Sequence, residues 1–178
     1  MTNGKWGDEL PPPAEPGGPA VTIEAINGYF KMGTGSQGHI IFTDEPPDMP
    51  PGKNWAPRPL DYFAMGMGFC HLTQVERYAQ ALKIEIKSAK MYVRMNISRS
   101  GSVLGQTMKA ECHGFDVRLE IESDAPPEKI ASCLRNAENA CFAVQAVLNP
   151  TPISETLVVN GQEFSLEDFP APATPAKV

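Results

Sequence analysis

The most regular hydrophobic pattern in the chain lies over residues 59–84. Apolar and weakly polar side chains recur there at steps of three and four residues, which is the period of one helix face. The positions of this face are Leu60, Phe63, Met67, Cys70, His71, Gln74, Val75, Tyr78 and Leu82. Pro59 stands at the start, where the missing N–H of proline costs no hydrogen bond. The pattern predicts one long, mostly buried helix with Cys70 on its apolar face.

Two glycines interrupt this helix, at Gly66 and Gly68. Each disfavours a helix interior by about 1 kcal/mol relative to alanine, so we expect another helix or chain to approach closely there. Cys70 would then lie at a tightly packed crossing. A buried cysteine most often acts as a small apolar side chain. Taken alone, the segment leaves a structural cysteine, a reactive thiol and a metal ligand as alternatives.

A second periodic segment, over residues 123–148, predicts a second long helix. Its apolar stripe consists of Ile130, Leu134, Ala137, Cys141, Val144 and Leu148. Asp124 is the candidate N-cap, and Glu128 lies in the first turn, where the helix dipole favours an acid. Cys141 belongs to the stripe, whereas Cys133 lies off it. A cysteine is therefore expected on the buried face of each helix.

Alternation of apolar and polar residues predicts the strands. They cover residues 21–30, 38–43, 84–100, 114–123 and 155–161. The glycine-rich segment 31–38 is interpreted as a turn, and residues 44–58 as an irregular loop because they contain five prolines. Cys112 and His113 precede a strand and are interpreted as structural, since adjacent strand residues point to opposite faces. This order of elements predicts an α+β fold in which two helices pack against antiparallel strands.

Composition narrows the class of protein. We expect one domain over 21–162 with disordered Pro-rich tails over 1–20 and 163–178. The net charge of −6 argues against a nucleic-acid partner. No apolar run is long enough to cross a membrane, and the N-terminus lacks the apolar core of a signal peptide. These features indicate a cytoplasmic protein whose four cysteines are free or redox-active.

The cysteines are the candidate chemistry of the chain. Two apolar-stripe cysteines that face each other in a reducing compartment suit a peroxidatic thiol and a resolving thiol. No CxxC spacing is present among the four cysteines, so we expect no metal site. The glycines near residue 35 are not followed by the Lys-Ser/Thr pair of a phosphate loop.

These segments resemble the OsmC/Ohr family, the osmotically inducible protein C and organic hydroperoxide resistance proteins, over roughly residues 20–160. The resemblance is carried by the stretch from Pro59 to Cys70, by Ala137–Glu138–Asn139–Ala140–Cys141, and by the strand GFDVRLEIESDAP. It implies an intertwined homodimer, with the two central helices packed inside and the active sites at the interface.

The same resemblance implies a reaction. The Cys70 thiolate would attack the O–O bond of an organic hydroperoxide and become a sulfenic acid. Cys141 would condense with it to a disulfide, which a dithiol reductant reopens, and no cofactor or metal takes part. An unperturbed cysteine is only roughly 3% ionised at pH 7, and burial disfavours the thiolate further. A neighbouring cation is therefore needed, and the family supplies it as an N-terminal arginine held by a glutamate of the central helix.

The chain departs from the family at three positions. No arginine precedes Arg58, the glutamate position is Leu60, and the proline that often follows the second cysteine is Phe142. Arg58 and Asp61 are candidate replacements for the arginine and the glutamate. The alternative is a solvated loop arginine and an acid that the helix dipole favours at the helix start.

Two functions remain open. The first is a two-cysteine peroxidase, favoured by the presence of Cys70 and Cys141. The second is a non-peroxidase relative that binds a hydrophobic or thiol-bearing small molecule, favoured by the missing arginine. His71 is interpreted as a packed histidine, with a role across the dimer as its alternative.

Overall fold

A computed structural model describes residues 18–171. The chain divides into two compact units, one ending at Phe63 and the other beginning at Ala64. Of the predicted tails, residues 1–17 and 172–178 lie outside the described residues, whereas residues 18–20 and 163–171 lie within them.

The first unit holds a three-stranded antiparallel sheet. Its strands are β1 (Thr22–Asn27), β2 (Phe30–Thr34) and β3 (Ile40–Thr43), in the order β1-β2-β3. Asn27 pairs with Phe30 across a tight turn, and Gly28 adopts a φ of 58° there. The predicted single strand over 21–30 and the predicted turn over 31–38 were therefore wrong. The Asn-Gly pair at 27–28 forms a hairpin turn. Strand β2 therefore begins at Phe30 and occupies residues that were predicted to be a turn because of their glycine content.

The loop predicted over 44–58 is confirmed as irregular. Its shape depends on the buried carboxylate of Asp44, which accepts the backbone N–H groups of Glu45, Lys53 and Trp55 at 2.8, 3.0 and 3.1 Å. Desolvation raises the pKa of Asp44, but these three hydrogen bonds together outweigh it and lower that pKa below its ordinary value. The loop is thus wrapped around an anionic side chain.

Helix α1 (Pro59–Ala81) confirms the long helix. It begins in the first unit and continues in the second, where it ends in two capping hydrogen bonds. Lys83, at a φ of 55°, donates its N–H to the Gln80 carbonyl at 3.1 Å, and Ile84 donates to the Ala79 carbonyl at 2.8 Å. The predicted strand start at residue 84 was wrong because this cap takes up the residues after the helix.

The second unit continues with a long antiparallel ribbon and two shorter helices. The ribbon pairs β4 (Ser88–Ser100) with β5 (Lys109–Glu122). The helices are α2 (Pro127–Asn139) and α3 (Phe142–Leu148), followed by a small hairpin, β6 (Val158–Val159) and β7 (Gln162–Glu163), and a 3-10 turn at Leu166–Asp168. The architecture is the predicted α+β fold with antiparallel sheets. No described helix combines the length and apolarity that a membrane crossing requires.

Strand β5 begins five residues before the predicted start at 114. It therefore includes Cys112 and His113, and the pairing of Asn96 with Gly114 and of Ile97 with Cys112 leaves His113 as the extra residue of a β-bulge. The bulge interrupts the alternation on which the prediction relied. His113 Nε2 lies 2.7 Å from the Ser98 hydroxyl.

The core of the second unit lies where α1 meets α2. Its buried members are Val75, Ala79, Ile84, Cys133 and Ala137. The N-terminal part of the predicted apolar face is not buried in the chain, since Leu60 and Phe63 are 46% and 52% exposed. Gly68 faces β4, because a Cβ there would lie 3.3 Å from Val93 Cγ2, while Gly66 meets open space.

Val75 provides a direct test of this core. Val75→Ala removes buried methyl groups from a side chain with 0% exposure and should lower the free energy of unfolding by about 2 kcal/mol. Val158→Ala is the matched control, because that valine is 60% exposed. Urea unfolding of both variants measures the difference. Equal effects of the two substitutions would contradict the assignment of the core.

Candidate functional site

The candidate site is the pair of thiols that the sequence singled out on two helices. Cys70 lies within α1 and is half-buried, and Cys141 is fully buried. The two side chains are close enough for Cys70 to raise the pKa of Cys141, and both are free thiols. The structure thus brings together two residues that are 71 positions apart in the chain.

Cys141 is presented by a break between two helices. Ala140 ends α2 with φ −99° and ψ 3°, and Cys141 is extended, with φ −83° and ψ 106°, at the N-cap of α3. The predicted continuous helix over 123–148 was wrong at this point. Phe142 fills the first position of α3, which is the helical position that tolerates proline best.

The start of the second helix also differs from the prediction. Pro126 occupies the N-cap position, whereas Asp124 forms an ion pair with Lys87 at 2.5 Å. The two prolines fix the entry of the chain into the helix, so no side-chain cap is required to orient it.

The environment of Cys141 favours its protonated form. Burial raises the pKa of the Cys141 thiol, and the hydrogen bond and charge of Cys70 raise it further. The backbone N–H groups of Val144 and Ala143 face the sulfur and oppose this shift, without reaching the geometry of a capping hydrogen bond. Cys141 is therefore held as a neutral thiol in this site.

The other two cysteines lie apart from this pair. Cys133 was placed off the apolar stripe, and this was wrong: it is 2% exposed and its thiol donates to the Val75 carbonyl at 3.4 Å. Burial also raises the pKa of Cys133. Cys112 is exposed on β5. Among residues 18–171, no three Cys, His, Asp or Glu side chains lie close enough together to hold a metal ion.

Arg58 and Asp61, the candidate replacements for the cation and its acid, form an ion pair in the first unit. Arg58 Nη2 lies 3.0 Å from Asp61 Oδ1, and Nε lies 3.4 Å from Oδ2. The Arg58 backbone N–H also donates to Oδ2 at 3.1 Å. The hydrogen bond from the Arg58 side chain lowers the pKa of Asp61. The intervening Pro59 does not prevent this two-point contact.

His71 follows Cys70 on α1 and has a neighbour that sequence reasoning missed. Burial of the half-buried imidazole lowers the pKa of His71, while the nearby negative charge of Glu138 opposes that shift. Glu138 lies in the last turn of α2, three residues before Cys141. No local sequence signal pairs these residues, because their proximity results from the packing of α1 on α2.

The comparison with known proteins gives a family and a fold. Residues 51–156 match the family model described as OsmC-like protein. No curated protein matches the sequence.

Solved structures share the fold. An OsmC-like hydroperoxide resistance protein from Jannaschia sp. CCS1 is 19% identical, with coverage of 82% of this chain and 97% of that chain and a TM-score of 0.53. An OsmC-like protein of unknown function from Vibrio cholerae is 10% identical, with coverage of 73% and 93% and a TM-score of 0.60. An organic hydroperoxide resistance protein OsmC from Legionella pneumophila is 16% identical, with coverage of 72% and 88% and a TM-score of 0.54.

The lowered pKa of His71 predicts a dependence of stability on pH. The unfolded chain binds a proton at His71 with the ordinary pKa of 6.5, and the folded chain binds it only at lower pH. His71 therefore opposes folding as the pH falls from 6.5 towards the folded-state value, and above 6.5 it has no such effect. Urea unfolding between pH 7.5 and 5.5 should show a larger loss of stability in the parent than in His71→Gln.

His39→Gln is the control for this measurement, because His39 is exposed in the loop before β3. This variant should keep the pH dependence of the parent. A His71→Gln variant with the same pH dependence as the parent would contradict the assignment of a desolvated imidazole.

Proposed function

The chain belongs to the OsmC-like protein family, and on this premise we propose that it is a thiol-dependent peroxidase that reduces organic hydroperoxides. The observation that carries the proposal is the proximity of the Cys70 and Cys141 thiols, which is sufficient for Cys70 to raise the pKa of Cys141. Two of the solved structures that share the fold are named as hydroperoxide resistance proteins, which supports a peroxide-related redox role.

The reaction has two steps. The Cys70 thiolate attacks one oxygen of the hydroperoxide, the O–O bond breaks, and the leaving alkoxide takes up a proton to become an alcohol. Cys70 is then a sulfenic acid. The Cys141 thiol gives up its proton as its sulfur attacks the Cys70 sulfur, and the released hydroxide leaves as water. A dithiol reductant returns the resulting disulfide to two thiols.

Burial divides the two roles between the cysteines. A peroxide can reach Cys70, which is half-buried, more easily than Cys141, which is 0% exposed. The raised pKa of Cys141 keeps that sulfur protonated and unreactive while Cys70 meets the peroxide. Proximity then makes the second step intramolecular, which favours the disulfide over further oxidation of Cys70.

We extend the proposal to Arg58 and Asp61 as the source of positive charge for the Cys70 thiolate. Arginine stays protonated at every relevant pH, and the two-point contact with Asp61 fixes the plane of the guanidinium group. The pair thereby supplies the same chemical groups as the arginine and glutamate of the family, from different positions in the chain.

The proposal includes a homodimer with the central helices at its interface. Large apolar side chains on and next to the helices of the site are exposed in the single chain: Phe63 by 52%, Phe69 by 67% and Phe142 by 85%. Apolar surface of this kind marks contact sites in soluble proteins. A second copy that covers these residues would place Cys70 and Cys141 at the dimer interface.

A non-peroxidase binding protein is the second candidate function. It is favoured by the absence of any arginine before Arg58, the part of the chain from which the family takes its cation. Phe69 and Phe142, each next to one of the two cysteines, would then contact a hydrophobic or thiol-bearing small molecule.

Thiol titration with cumene hydroperoxide distinguishes the two functions. One equivalent added to the reduced protein should remove two thiols rapidly, and Cys70→Ser should lose none. Cys141→Ser should accumulate a sulfenic acid that dimedone traps. Cys112→Ser is the control and should behave as the parent, because Cys112 is exposed and lies outside the pair. A parent that reacts no faster than free cysteine would exclude the peroxidase and leave the binding protein.

The role of Arg58 is tested by Arg58→Leu. Loss of a cation that stabilises a thiolate should lower the rate constant for the reaction with cumene hydroperoxide at pH 7 about tenfold. Arg99→Leu, an exposed arginine of β4, is the control. A rate constant of Arg58→Leu that matches that of the control would exclude Arg58 from the site.

A further inference from the structure

The joint between α2 and α3 is held by the side chain of Gln145. Its carboxamide Nε2 donates to the backbone carbonyl of Glu138 at 3.1 Å, seven residues earlier in the chain. Its Oε1 accepts from Asn149 Nδ2 at 3.1 Å. One side chain therefore connects the last turn of α2 to the residue that ends α3.

Cys141 lies inside this set of hydrogen bonds. Its backbone N–H donates to the same Glu138 carbonyl at 3.3 Å, and its own carbonyl accepts the Gln145 backbone N–H at 2.9 Å. Gln145 thus contacts the chain on both sides of Cys141 without touching either sulfur atom in a hydrogen bond. The extended conformation of Cys141 is fixed from both directions.

This arrangement orders the joint of the reduced protein in the conformation that a disulfide would also require. A Cys70–Cys141 disulfide would hold the joint by a covalent bond, whereas the two free thiols are held near each other only by noncovalent contacts. Ordering of the joint before reaction raises the effective concentration of one thiol at the other. Loss of that order would leave the contacts of both sulfur atoms unchanged in kind, because Gln145 does not bond to either sulfur. It would widen the range of positions that Cys141 samples.

We propose that Gln145 is a positioning residue that holds Cys141 against Cys70 and so sets the ease with which the two thiols form a disulfide. The role of Gln145 in a reaction rests on the proposed function, in which Cys70 and Cys141 form a disulfide. It concerns the second step of that reaction, and not the attack of Cys70 on a peroxide.

Glutathione redox buffers measure this property without any peroxide. Glutathione disulfide accepts two electrons from the thiol pair. Each molecule of glutathione disulfide consumed gives one Cys70–Cys141 disulfide and two molecules of reduced glutathione. The equilibrium constant reports the effective concentration of the two thiols. All proteins carry Cys112→Ser, which removes the exposed thiol outside the pair.

In Gln145→Leu the equilibrium constant should fall about tenfold, the ratio expected from the loss of two hydrogen bonds of ordinary net strength. Asn149→Ala removes the carboxamide that donates to Gln145 Oε1 at 3.1 Å and to the Gln145 backbone carbonyl at 2.8 Å. Of the two hydrogen bonds of the Gln145 side chain it removes one, so it should lower the constant about threefold. Asn149 is exposed, so this second variant tests the proposal even if Gln145→Leu does not fold. Gln80→Leu, an exposed glutamine of α1, should leave the constant unchanged.

A second readout separates positioning from general damage to the fold. The rate at which iodoacetamide alkylates Cys70 depends on that thiol alone and should stay within about twofold of the parent. An equilibrium constant that changes in neither of the two variants of the α2–α3 joint, Gln145→Leu and Asn149→Ala, would overturn the proposal. A fall in the constant that is matched by an equal change in alkylation rate would also overturn it.

The outcomes distinguish this inference from the proposed function. A parent that forms the disulfide in glutathione but reacts slowly with peroxide would refute the peroxidase, while the difference between the joint variants would still support the role of Gln145. A parent that forms no Cys70–Cys141 disulfide would refute both.

Discussion

The proximity of the Cys70 and Cys141 thiols depends on the packing of α1 against α2. Val75, Cys133 and Ala137 are 0%, 2% and 0% exposed at this crossing, and the Cys133 thiol donates directly to the Val75 carbonyl. Small side chains on α2 allow its backbone to approach α1 closely. Cys70 lies five residues before Val75 and Cys141 four residues after Ala137. The crossing thereby determines which residues of the two helices meet beyond it.

Much of the helical structure could be predicted from the periodicity of the sequence. The prediction succeeded only where the local helix signals agree with the packing of the folded chain. The long helix from Pro59 has a proline at its start and an apolar period of three to four, and the structure confirms it. The break before α3 has no such signal, because the residues around Cys141 all tolerate a helix. Phe142 removes the one cue, a proline at the first helical position, that would have marked the break.

The error at Cys133 was independent of the error at the break. Cys133, Ala137 and Cys141 are spaced four residues apart, so even a continuous helix would place each on the same face as the next. The buried face of α2 includes Cys133 and Ala137, and the predicted stripe, which was drawn through Leu134, left Cys133 out. The choice of Cys141 for the site was based on a continuous helix, whereas the structure places Cys141 at the N-cap of α3, and its role in the site stays a prediction.

The electrostatics around Cys70 and Cys141 explain why the two thiols need not react in the same way. A thiol in a buried site without a cation remains protonated, and this is the condition of Cys141, whose neighbouring thiol raises its pKa further. The nearby acid, Glu138, acts on His71 and adds negative charge to this part of the second unit. Neither Glu138 nor the neutral Cys141 thiol can stabilise a thiolate at Cys70, so the proposed reaction needs a cation from another residue, for which the proposed source is Arg58, paired with Asp61. The helix crossing brings the two cysteines near each other, and their unequal burial decides which thiol a peroxide can reach first; a neighbouring cation would add to this difference by stabilising a thiolate.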